Sequence, residues 1–64
     1  MKVAEIHEII WEPYRLFYSL GDNELTLVGE FCCENRPKGY LDLSVSAIGT
    51  REEDGFLYVV CSDD

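Results

Sequence analysis

Residues 2–12 place apolar side chains at Val3, Ile6, Ile9 and Ile10 and carboxylates at Glu5, Glu8 and Glu12. At 100° per residue the four apolar positions gather on one side of a helix, and Trp11 and Ala4 widen that side. The three glutamates share a sector about 60° wide. Read as a strand, the same residues mix apolar and charged side chains on both faces. The spacing therefore predicts a helix over 2–12, ended by Pro13. Its β-branched Val3, Ile6, Ile9 and Ile10 work against it, because they lower helix propensity.

From Tyr14 onward the pattern turns to strands. Segments 14–20 and 25–33 flank the turn-forming run Gly21-Asp22-Asn23-Glu24, which predicts a hairpin. A second turn covers 34–39. Segment 40–48 then alternates Leu41, Leu43, Val45 and Ala47 with Asp42, Ser44 and Ser46, as a strand with one buried and one wet face does. Residues 49–55 form an acidic turn, and 56–61 a last strand. Because a slip of one residue flips every side chain, the register expected for 25–33 against 40–48 sets Phe31 opposite Leu43, Gly29 opposite Val45 and Leu27 opposite Ala47. Segment 56–61 is apolar at every position, so it belongs in the middle of the sheet or has both faces covered, one cover being a partner surface. The expected fold is α+β: one domain spanning 1–64, an antiparallel sheet of about four strands in sequential order, and a short N-terminal helix packed on one face. The alternative is an all-β, five-stranded small barrel in which residues 3–11 are a strand.

A chain of 64 residues buries only about 60% of the surface its unfolded form exposes, and surface recognition is easier to build on it than a deep cleft. Its net charge of −8 comes from thirteen carboxylates against five basic residues. That balance argues against direct binding to nucleic acid or to anionic membranes and favours a basic partner. Apolar runs fall far short of the roughly 20 residues that span a bilayer. The start Met1-Lys2-Val3-Ala4-Glu5 meets carboxylates where a signal peptide needs an apolar run. Three cysteines, Cys32, Cys33 and Cys61, do not form the even-numbered framework of a secreted disulfide protein. A reducing, cytoplasmic setting is expected. In a sequential meander Cys61 lies two strand spacings, about 9–10 Å, from Cys32 and Cys33, beyond the roughly 7 Å that a disulfide bridges.

Candidate chemistry is sparse. Adjacent Cys32 and Cys33 point to opposite faces of a strand, whereas zinc sites space their ligands as Cys-x₂₋₄-Cys. His7 is the lone histidine; a dyad would need a nucleophile such as Cys33 to meet it in space. No nucleophile-elbow, phosphate-loop, dinucleotide-binding or zinc-protease pattern occurs. Asp22-Asn23-Glu24 offers oxygen ligands without the loop that organises calcium. No catalytic residue, metal or cofactor is expected. The carboxylate groups Glu5/Glu8/Glu12 and Glu52/Glu53/Asp54 remain, with Asp63 and Asp64 at the end of the sequence. Their plain reading is a solvated surface. Tyr14, Tyr18, Tyr40, Tyr58 and Trp11 are candidate interface anchors, with core packing expected for Trp11 and at least two of the tyrosines.

In its size, its acidity, these two carboxylate groups and its lack of any enzyme signature, the chain resembles the small acidic proteins that phages encode to inhibit host defences, anti-CRISPR proteins and other nucleic-acid mimics. The resemblance implies an inhibitor that occupies the basic nucleic-acid-binding surface of a host protein or complex. On this reading the partner-binding residues are Glu5, Glu8, Glu12, Glu52, Glu53, Asp54 and Tyr58. The alternative is a structural or assembly module, a homodimer formed by edge-strand pairing or through the apolar 56–61 segment.

Overall fold

A computed structural model describes residues 1–21, 24–50, 53 and 55–63. Among them are a helix, α1 (Val3–Ile9), and strands β1 (Tyr14–Gly21), β2 (Glu24–Phe31), β3 (Ser44–Thr50) and β4 (Leu57–Ser62). The architecture is α+β, a short N-terminal helix with a four-stranded open sheet, not a closed barrel. The hairpin tip Asp22-Asn23, Arg51, Glu52 and Asp54 of the acidic turn, and Asp64 lie outside the described residues.

The helix starts where its first amides find partners. The Lys2 amide donates to the Glu5 carboxylate at 2.9 Å, and the Val3 and Ala4 amides donate to the carbonyls of Leu43 and Leu41 at 3.0 and 3.1 Å. Orphan N–H groups of a first turn are thereby satisfied by a side chain and a neighbouring segment. It stops three residues before the expected end, with Ile10 already extended at φ −90°, ψ 122°. The buried face is also rotated from the expected one. Val3, Ile6 and His7 are buried, while Ile9 is 62% exposed and Trp11 86% exposed. The i, i+3, i+4 set 3/6/7 makes a narrow stripe once His7 is admitted to it, and the extended backbone from Ile10 carries Trp11 off the helix altogether.

Strand order is β2-β1-β4-β3. β1 and β2 form the expected antiparallel hairpin, pairing Tyr14 with Phe31 and Leu16 with Gly29. β4 lies in the interior of the sheet, parallel to β1 through Leu16–Val59 and antiparallel to β3 through Ile48–Val59. The sheet is therefore mixed, not antiparallel throughout. The expected pairing of Phe31 with Leu43, Gly29 with Val45 and Leu27 with Ala47 is absent, because β2 and β3 occupy opposite edges. An apolar face on β3 needs an apolar neighbour, and β4, apolar on both sides, meets that need better than β2. Residues 40–43 are not strand: Tyr40 adopts φ 67° and a turn follows. The connection from β2 to β3 instead crosses the helix side, where Leu41 and Leu43 pack against the core and hold α1 through their carbonyls.

The core lies between α1 and one face of the sheet and comprises Val3, Ile6, Tyr14, Leu16, Val59 and Cys61. Cys32, Cys33 and Cys61 are free thiols. The strand separating Cys61 from the region after β2 is β1, where a meander would have put β3.

Candidate binding surface

Trp11 follows the last turn of α1 and stands as a ridge between two shallow pockets. One, of about 280 Å³, is lined by His7, Glu8, Ile10, Trp11, Cys33 and Arg36. The other, of about 380 Å³, is lined by Ile9, Ile10, Trp11, Glu12 and Leu57. Glu8 lines the first pocket together with Arg36, Glu12 lines the second, and Ile9 adds exposed apolar surface. The local sequence explains the display. Pro13 disfavours helical backbone at Glu12, so the chain leaves α1 in extended form and Trp11 cannot fold back onto the helix face.

Beneath this surface a buried polar pair fixes the helix on the sheet. The Tyr14 hydroxyl lies 2.7 Å from His7 Nδ1, with the rings edge to face. Burial pushes the Tyr14 hydroxyl up to about 12, against an opposing pull from Arg36. The phenol stays protonated at neutral pH and donates its proton when Nδ1 is unprotonated. Cys33 does reach the pocket that His7 lines, but the contact His7 makes is with Tyr14. Burial raises the Cys61 thiol, which suits a core residue close to the Phe17 carbonyl at 3.3 Å. Among the described residues no group of three or more His, Cys, Asp or Glu side chains could hold a metal ion, and no helix is long and apolar enough to cross a membrane.

Among the described residues, the expected partner-binding side chains are not gathered in one place. Glu5 is exposed and caps α1. Glu8 shares the helix with it, but Glu12 lies beyond the helix end, so the three do not form one helical stripe. Glu53 is exposed, and its neighbours Glu52 and Asp54 lie outside the described residues. Tyr58 is half-buried on the sheet face opposite α1, because its neighbour Val59 points into the core. Its ring covers Gly49, where an added Cβ would sit 2.6 Å from the hydroxyl.

Core packing, expected for Trp11 and at least two of the tyrosines, holds for Tyr14, which is fully buried, and for Tyr18, half-buried against the core, but not for Trp11. Tyr18 and Tyr40 pack at a tilt of 56° with ring centres 5.5 Å apart, and the Tyr18 hydroxyl donates to Asp63 at 2.5 Å. That hydrogen bond, with burial and the Asp63 charge, raises the Tyr18 hydroxyl. Pro13 signals in the sequence that the helix ends near Trp11, but how early α1 stops, and with it the exposure of the indole, follows only from the fold. No family model matches this chain, and the searches of curated proteins and of solved structures found no match.

Proposed function

We propose that this chain is a non-catalytic binding protein that acts in the cytoplasm by docking the surface around Trp11 on a basic protein surface. The observation that carries the reading is an indole 86% exposed between two glutamates, on a chain of net charge −8. Tryptophan is among the residues that most often dominate binding energy when a partner buries them. Glu8 and Glu12 at its margins supply the rim that steers a positively charged partner and sets register. Ile9 widens the apolar centre, so affinity does not rest on charge alone.

The finer reading is an inhibitor or nucleic-acid mimic, similar in action to phage-encoded anti-CRISPR proteins. A protein that binds nucleic acid presents lysines and arginines to phosphates, and carboxylates placed against them occupy the same electrostatic positions. A photo-crosslinking phenylalanine analogue at position 11, irradiated in extract of the source cell, tests both levels. The expected cross-link falls on a Lys/Arg-rich surface and is competed by the partner's nucleic acid. A cross-link to an acidic or wholly apolar surface contradicts the docking reading. A basic surface without competition contradicts only the mimic.

A further inference from the structure

The sheet has a second face that α1 does not cover. Leu16 and Val59 point into the core, so by alternation their strand neighbours point away from it. Register places Phe17 beside Leu27 and Val60, and Val60 beside Ala47. Leu25 and Tyr58 extend this surface along β2 and β4, and Leu25 and Leu27 are 52% and 54% exposed. Among the described strand residues, the charged groups on the face are Arg15 and Glu30, joined by an ion pair at 3.1 Å. The Arg15 guanidinium also lies 4.6 Å from the centre of the Phe56 ring. Lys2, bridged to Ser44, stands at the margin. An apolar surface without net negative charge is thus set into a molecule of net charge −8.

We propose that this face pairs with the same face of a second copy of the chain. Charge selects that occupant. Two strongly acidic molecules repel each other through their carboxylate surfaces, and this face is where they can approach without that cost. A basic partner, by contrast, finds here a single carboxylate that Arg15 already occupies. The surface also fits a two-fold interface, with an apolar centre of Phe17, Leu27 and Val60, serines Ser19 and Ser62 toward its ends, and one positive and one negative group. Two such sheets stack about 10 Å apart, giving a helix–sheet–sheet–helix sandwich.

Size sets the strength. Strands spaced about 4.8 Å apart and about six residues long at roughly 3.3 Å each make a face on the order of 400 Å². Two of them bury about 800 Å², below the roughly 1,200 Å² at which standard interfaces begin, so the pairing is weak and transient and dissociates on dilution.

Sedimentation equilibrium of the intact chain from about 10 μM to about 1 mM tests this. Wild type is expected to rise from one toward two times 7.4 kDa. Leu27→Lys, on an exposed edge strand where lysine is well tolerated, is expected to weaken association by about tenfold or more, with circular dichroism confirming the fold. Leu25→Lys serves as the second variant, and Ile9→Lys, at the helix end, is expected to associate as wild type does. A one-chain mass throughout, undiminished association of folded Leu27→Lys and Leu25→Lys, or dissociation by Ile9→Lys instead would overturn the proposal. The helix-end docking surface is untouched by any of the first two outcomes, because it lies on a different part of the molecule.

Discussion

Replacing Tyr14 by Phe removes one oxygen from the most enclosed part of the molecule. Tyr14 is fully buried and His7 is 9% exposed, so when the hydroxyl 2.7 Å from Nδ1 is deleted, water cannot easily take its place. The loss combines a hydrogen bond with an unsatisfied buried acceptor, and the expected cost is about 1–3 kcal/mol. For a domain of this size each kcal/mol lowers the melting temperature by roughly 4–8 °C. Against a total stability of about 3–10 kcal/mol, the change is large enough to read in a thermal melt. His7→Leu strands the hydroxyl in the same way and is expected to cost a similar amount. The double variant Tyr14→Phe/His7→Leu leaves neither group unpaired, so it should be more stable than the two single losses predict, with a coupling of about 1–2 kcal/mol. Urea melts of the four proteins measure that coupling. A coupling below about 0.5 kcal/mol, the scatter of independent sites, would refute the claim that this pair pins α1 to the sheet.

Gly49→Ala sets a Cβ 2.6 Å from the Tyr58 hydroxyl and is expected to cost about 1–3 kcal/mol; Tyr58→Ala in the same chain should recover part of it in a urea melt. Ultraviolet titration of the phenols should show one group ionising near pH 12, lost in Tyr14→Phe. Because Tyr14 holds its proton more tightly folded than unfolded, its contribution is complete below about pH 10 and is lost as pH rises toward 12, so melting temperature should fall across that window less steeply in Tyr14→Phe. Trp11→Ala, at a residue making almost no packing contacts, should change stability by less than about 0.5 kcal/mol.

Much of this fold was legible from periodicity. The β1–β2 hairpin follows from alternation around Gly21-Asp22-Asn23-Glu24, and the apolar residues of β4 left two places for it, of which the sheet interior is the one found. Strand order was not legible, and parity failed within β3: a bulge between Val45 and Ala47 leaves Val45 against the core and turns Ala47, expected on the same buried face, to the other side. Residues 40–43 alternate like a strand since Leu41 and Leu43 do pack on the core, yet the left-handed backbone at Tyr40 turns them into a connection. His7 looked polar by type, and its burial depends on a hydroxyl seven residues away that only the fold brings near. Of the candidate site, Glu8 and Glu12 were readable as charge; their arrangement around an exposed Trp11 required knowing that α1 ends at Ile9.

Association kinetics with the cross-linked partner at several salt concentrations test docking around Trp11 most directly. Glu8→Lys/Glu12→Lys reverses the rim and leaves Glu5 to cap α1; Trp11→Ala removes the apolar anchor. Rim charge governs association and its salt response, whereas a buried anchor governs dissociation. The charge-reversed protein should therefore associate more slowly with a shallower salt dependence, and Trp11→Ala should dissociate at least about tenfold faster at a nearly unchanged association rate. Wild-type kinetics in both variants, with binding lost on Tyr58→Ala, would contradict the account and place the partner on the opposite face of the sheet.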